Sequence, residues 1–172
     1  MLKKNTKRMI YIAFLVALNV IFMRFVPPIS TPLLRVDFGF LPVAVAAMLF
    51  GPLAGGITGV LGDLLGMFLN SNGMAFYPLF TLNAFLYGAG YGLFLYRREK
   101  TLLNISVCIV TLILVINLFL TSLWLYFFNN MTIAFEAILY PRIVTALLLI
   151  PIQIICIRLA WQYVAAPLQK RL

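Results

Sequence analysis

From Leu102 to Phe128 no charged side chain interrupts the chain, and nearly every residue is apolar. As a helix this stretch is about 40 Å long, more than the roughly 30 Å hydrocarbon thickness of a bilayer. A soluble core has no place for such a run. The remainder follows suit: 64% of the 172 residues are hydrophobic and 10% charged, where soluble domains carry roughly a quarter charged residues. The apolar runs are continuous, whereas a membrane β-barrel alternates in polarity over segments of about ten residues. The fold class is therefore an all-α integral membrane protein.

Six segments are read as spanning helices, at about 9–26, 39–54, 56–70, 77–96, 101–128 and 133–166, forming one membrane domain over 1–172. The stretch FGPLAGG is read as a tight turn between the second and third. The last two exceed the bilayer and should tilt or project, and Pro151 is expected to kink the sixth. The amino-terminal MLKKNTKR precedes an apolar run longer than a signal-peptide core, with no small-residue cleavage site after it, so it is kept as the first span.

Positive charge sets the orientation. Lys3, Lys4, Lys7 and Arg8 precede the first segment, Arg97, Arg98 and Lys100 separate the fourth and fifth, and Lys170 and Arg171 follow the sixth. With six spans all three clusters share one side, which is then cytoplasmic, as are both termini. The net charge of +9 thus reads as topology and anionic-lipid contact rather than nucleic-acid binding. Three loops face outward, at 27–38, 70–76 and 129–132, and the first, rich in proline, carries Arg35 and Asp37. Cys108 and Cys156 lie inside apolar runs, and there is no histidine; neither a metal site, a disulfide nor a cofactor is expected.

Ionisable and amide side chains within a span are costly in lipid, and they usually face the bundle interior or a water-filled cavity. Asp63 in GVLGDLLG, Asn83 in LFTLNAFLYG and Arg142 in AILYPRIVTA lie on three different segments. Each falls about 10–15 Å below the outer surface at 1.5 Å per helical residue. Tyr87 follows Asn83 by one turn, and Phe80 lies near the same end. These positions define a candidate pocket open to the outside, beneath the loop bearing Arg35 and Asp37. A structural Asp63–Arg142 pair, with Asn83 as an interhelical hydrogen bond, remains the competing explanation. Arg24 and Glu136 are equally consistent with site residues, an ion pair or snorkelling charges.

Small residues recur at one-turn spacing: Ala13 and Ala17 in the first segment, then Gly51, Gly55, Gly59, Gly62 and Gly66. Such spacing allows close helix approach, either within the bundle or against a partner.

Taken together, the alanine pair, LLRVDFGFLPV, LFGPLAGGITGVLGDLLG and LYPRI resemble the substrate-binding S component of an energy-coupling factor (ECF) vitamin transporter, over nearly the whole chain. Among those families the chain is most similar to the folate-specific one. The resemblance implies a subunit that captures folate from outside. It would associate with a transmembrane coupling subunit and two cytoplasmic ATPase subunits, and deliver the vitamin by toppling in the bacterial cell membrane. Ala13 and Ala17 would contact the coupling subunit. Asp63 would accept the paired donors of the pterin, and Asn83 would read neighbouring polar atoms. Arg142 and Arg35 would bind the glutamate carboxylates, since guanidinium offers paired donors. Tyr87 or Phe80 would stack on a ring, and Asp37 would fix the loop. The chain carries no nucleotide-binding motif and no nucleophile–base constellation, which argues against an enzyme. An S component for another vitamin or a purine-like precursor, or a non-transporting membrane scaffold, stays open on sequence alone.

Overall fold

The computed structural model describes residues 2–25, 29–31, 34–36, 38–69, 77–128 and 135–169, with the backbone alone at 2–5, 29–31, 34–36, 128 and 135–138. Eight α-helices form six rods. α1 (Leu2–Val20) runs on through a π-helical turn, Ile21–Phe25; α2 (Phe40–Phe50) and α3 (Pro52–Leu69) follow, then α4 (Pro78–Leu95). The fifth rod is α5 (Leu102–Leu112), a π-helical stretch Ile113–Leu120, and α6 (Thr121–Phe128). The sixth is α7 (Phe135–Ala160), a π turn Trp161–Ala165, and α8 (Ala166–Gln169). α7 stays helical through both Pro141 and Pro151.

Among the described residues the regular structure is helical apart from one hairpin. Within the loop expected at 27–38, β1 (Ile29–Thr31) pairs antiparallel with β2 (Leu34–Val36), setting Ser30 opposite Arg35. β2 lies against α7. Within the described part of this loop, strand pairing supplies the order.

α2 is the central strut. Pro42 to Met48 and Phe50 are all buried, so this helix has no outward face, as expected of one that is apolar all round. It breaks at a single residue, Gly51, whose φ of +97° lies where a side chain would be strained. Pro52 then opens α3, at the helix position that tolerates a missing N–H. The turn is thus confined to Gly51, and Gly55 and Gly56 of the FGPLAGG stretch belong to α3.

Among the described residues, four helical stretches are long and apolar enough to cross a membrane: Thr6–Phe25, Pro52–Leu69, Leu102–Phe127 and Leu139–Gln169. α2, of 11 residues, is too short. α4 is long enough but gives up apolarity to Thr81, Asn83, Tyr87, Tyr91 and its glycines, as suits a helix enclosed by α2, α3 and α5 rather than by lipid.

α3 and α4 are the most extensively packed pair. A Cβ on either Gly55 or Gly88 would collide with the other's backbone carbonyl, so the two helices touch main chain to main chain. That approach is available only to residues without side chains. Elsewhere the core is filled conventionally, by Leu95, Ile105, Cys108, Ile109, Ile113 and Ile157, all almost fully buried.

One end of the bundle gathers Arg8 and the basic turn that follows α4. The Arg8 guanidinium donates to the Phe50 carbonyl at the end of α2 (2.5 Å), where a cation complements the helix dipole. The Tyr96 ring lies against Gly51, and the Lys100 ammonium sits 4.2 Å from the centre of the Trp161 ring. The hairpin and the start of α4 belong to the opposite end.

Candidate functional site

Each polar residue singled out within the helices has found a partner on another helix. On α3, half-buried Asp63 accepts a hydrogen bond from the Thr81 hydroxyl of α4 at 2.7 Å. On α4, Asn83 is 5% exposed; its Nδ2 donates to the Thr121 hydroxyl of α6 at 3.0 Å, and its Oδ1 accepts from the Trp124 indole N–H at 3.3 Å. On α7, Arg142 Nη1 donates to both the backbone carbonyl and the side-chain Oδ1 of Asn117, each at 3.0 Å. Asp63 and Arg142 therefore do not form the direct ion pair that the sequence left open.

Helical geometry explains the division. Thr81 and Asn83 are two residues apart, about 200° around α4, so they point to opposite faces. Asp63 meets the first face and the α6 pair meets the second. Tyr87, one turn beyond Asn83, shares its face. Its phenol lies close enough to the Arg142 guanidinium to interact electrostatically, and its ring packs on Tyr91 with centroids 6.3 Å apart. The candidate residues thus line two sides of α4, with Tyr87 leading from Asn83 toward Arg142. Phe80 lies near the end of α4 that faces away from the basic clusters, edge-on to Tyr77 at 6.0 Å. The Arg35 backbone is held in β2, while its side chain, and Asp37 altogether, lie outside the described residues, as does the Glu136 side chain.

The π-helical stretch makes the Arg142 seat. The Thr121 hydroxyl donates to the Ile116 carbonyl five residues back at 2.7 Å, the spacing of a π turn rather than an α turn. Within this widened segment Asn117 offers its carbonyl to Arg142 in addition to its side chain. A guanidinium held by two acceptors keeps a defined direction, which a freely rotating side chain would not.

Asn117 and Asn19 went unremarked in the sequence, although both carry the signal that picked out Asn83: an amide inside an apolar run. Asn19 is 2% exposed. Its Nδ2 donates to the Gly39 carbonyl at 2.6 Å, tying α1 to the chain just beyond the hairpin. Its Oδ1 occupies the space where a Cβ on Gly62 would stand. Arg24 packs similarly over Gly66 and donates to the Met67 sulfur at 3.6 Å. The glycines around Asp63 therefore receive polar side chains from α1, while those nearer the start of α3 admit α4. Ala13 and Ala17 are both exposed on the outer face of α1.

The described residues hold no cluster of three or more metal-ligating side chains, and the assembled groups are hydrogen-bonding and aromatic.

Residues 7–160 match the family described as "ECF transporter, substrate-specific component". The chain is 35% identical over 161 residues to the "Folate transporter FolT" of Clostridium novyi (strain NT), spanning 94% of this chain and 91% of that one. It is 29% identical over 156 residues to the "Folate transporter FolT" of Leuconostoc mesenteroides, spanning 88% and 83%. In three dimensions it superposes with a TM-score of 0.79 and 34% identity on a structure described as "Crystal structure of FolT bound with folic acid", covering 90% of this chain and 92% of that one. A second structure, "Structure and mechanism of the S component of a bacterial ECF transporter", shares the fold at a TM-score of 0.59 and 24% identity. Polar side chains pinned across a helical bundle, and a family match over residues 7–160, lead to one conclusion: this chain belongs to the substrate-specific components of ECF transporters.

Proposed function

We propose that this chain captures folate from outside the cell as the S component of an ECF-type transporter. The observation that carries this reading is the likeness over nine tenths of its length to a chain crystallised with folic acid. The hydrogen-bonding inventory of the bundle supports it. Folate has a flat pterin with an adjacent donor pair at one end and two carboxylates at the other. Asp63, steadied by Thr81, is the acceptor assigned to the pterin donors. Arg142, aimed by Asn117, is assigned to a glutamate carboxylate, with Arg35 of the hairpin approaching the same end and Asp37 fixing the loop. Asn83 reads neighbouring polar atoms, and Tyr87 or Phe80 supplies a ring for stacking.

In this reading the chain passes between the two faces of the membrane six times, the short α2 doing so enclosed within the bundle, and both termini are cytoplasmic, so the basic end lies inside and the hairpin outside. The exposure of Ala13 and Ala17 supports a docking face for a transmembrane coupling subunit. Two ATPase subunits supply the energy, and toppling of the loaded S component carries folate inward.

Folate titration of the purified chain in detergent, followed through the fluorescence of Trp124, tests the assignment, because that indole already bonds to Asn83. Stoichiometric binding is expected. Asp63→Ala and Arg142→Ala should each weaken it roughly 10–100-fold, the range for a hydrogen bond to a charged group. A folded wild-type chain blind to folate sinks the ligand assignment; unchanged affinity in both variants sinks the pocket.

A further inference from the structure

A second site lies at the basic end of the bundle, remote from the residues assigned to folate. The turn between α4 and α5 and the end of the sixth rod enclose an open groove of about 560 Å³, lined among others by Arg97, Arg98, Glu99, Lys100, Trp161 and Gln169. Three cations thus face a single carboxylate.

The turn is built rather than loose. Arg97 has φ +55°, the one positive value at a non-glycine residue among the described residues. This conformation costs energy in any residue with a side chain, and it persists only where the surroundings impose it. The Arg98 N–H donates back to the Leu95 carbonyl at 3.4 Å. Asn104 Nδ2 holds the Glu99 carbonyl at 2.8 Å, and Thr101 caps α5 by accepting from the Asn104 N–H at 3.4 Å. The two flanking cations rest on aromatic faces: Arg97 lies 5.2 Å from the Tyr96 ring centre, and Lys100 lies 4.2 Å from that of Trp161.

Burial lowers the Lys100 pKa, and no neighbouring carboxylate offsets it. Among the described residues none of the three cations is joined in an ion pair. The groove also sits where the long α5 and α7 rods end, beside an indole of the kind enriched at membrane–water boundaries.

We propose that this groove binds the phosphate headgroup of an anionic phospholipid of the inner leaflet. The phosphate meets Arg97, Arg98 and Lys100, and the Trp161 indole packs at glycerol level. Basic pockets between helices on the cytoplasmic side suit such headgroups. The orientation rests on the topology of the preceding section; the binding chemistry does not depend on folate.

The test is native mass spectrometry of the full chain in mild detergent, without folate, titrated with phosphatidylglycerol or phosphatidylcholine. One phosphatidylglycerol should remain bound at concentrations where phosphatidylcholine is lost. The triple variant Arg97→Gln, Arg98→Gln, Lys100→Gln should bind it on the order of a hundredfold more weakly. The charge-matched control Lys3→Gln, Lys4→Gln, Lys7→Gln should retain it. Folate titration of the triple variant verifies that it is folded, and is expected to match wild type. Equal retention of the two lipids, or equal losses in the two triple variants, overturns the proposal. Displacement of phosphatidylglycerol by millimolar inorganic phosphate would assign the site to free phosphate instead. Unchanged lipid binding with lost copurification of the coupling and ATPase subunits would make the groove a protein-docking surface.

Discussion

The two halves of this bundle are held together in different ways. In the first, α2, α3 and α4 meet through glycine and alanine, and Gly55 and Gly88 bring two backbones into contact. In the second, α5, α6 and α7 are pinned to one another and to α4 by side chains: Asn83 to Thr121 and Trp124, Arg142 to Asn117. Backbone contact leaves no room for adjustment, because neither partner has an atom that can rotate away. Side-chain pins can be exchanged for ligand atoms at modest cost, since each interhelical hydrogen bond in a membrane contributes only about 1 kcal/mol. A rigid half thus stands beside an adaptable one, with α4 between them.

The sharpest way to break this contrast is at the crossing. Gly88→Val should cost ~3 kcal/mol, the upper end of the overpacking range, because the new Cβ meets the backbone of Gly55 and Gly56. Thermal melting in detergent should show a large drop, or no monodisperse protein. Near-normal melting would mean that the α3–α4 approach is not rigid. A milder effect is expected in the other half. Asn117→Ala should leave melting within a few degrees of wild type yet weaken folate binding roughly tenfold, by removing one of the two acceptors that aim the Arg142 guanidinium. An affinity that tracks the loss of stability alone would make Asn117 a packing residue and nothing more. The smallest effect on the isolated chain belongs to the pair Ala13→Leu and Ala17→Leu. Both positions are exposed, so stability and folate affinity should not change. Copurification with the coupling subunit should be lost, and intact uptake by this double variant would remove the docking face.

Much of the architecture was legible in order of residues. Uninterrupted apolar runs dictate helices in lipid, because every backbone amide must be satisfied within its own segment. The basic clusters at 3–8 and 97–100 foretold a common end, where Arg8 and Lys100 now lie. Asp63, Asn83 and Arg142 stood out because polar atoms in hydrocarbon need a partner. The hairpin at Ile29–Val36 was not visible, since strands of three residues carry no periodicity. The break between α2 and α3 was expected within FGPLAGG, but the second segment was carried on to residue 54; only the φ of Gly51 ends α2 at Phe50.

Sequence by itself determined that this chain is a helical membrane protein with buried polar atoms requiring partners, because both follow from the cost of transferring peptide and charge into an apolar medium. Which partners they took was decided by the tertiary structure alone. The choice of Thr81 for Asp63, of Trp124 for Asn83 and of Asn117 for Arg142 depends on helix rotation, on the π-helical stretch and on contacts between residues distant in sequence. The order of residues does not encode such relations locally. They emerge only when glycines let some helices close and side chains pin others together.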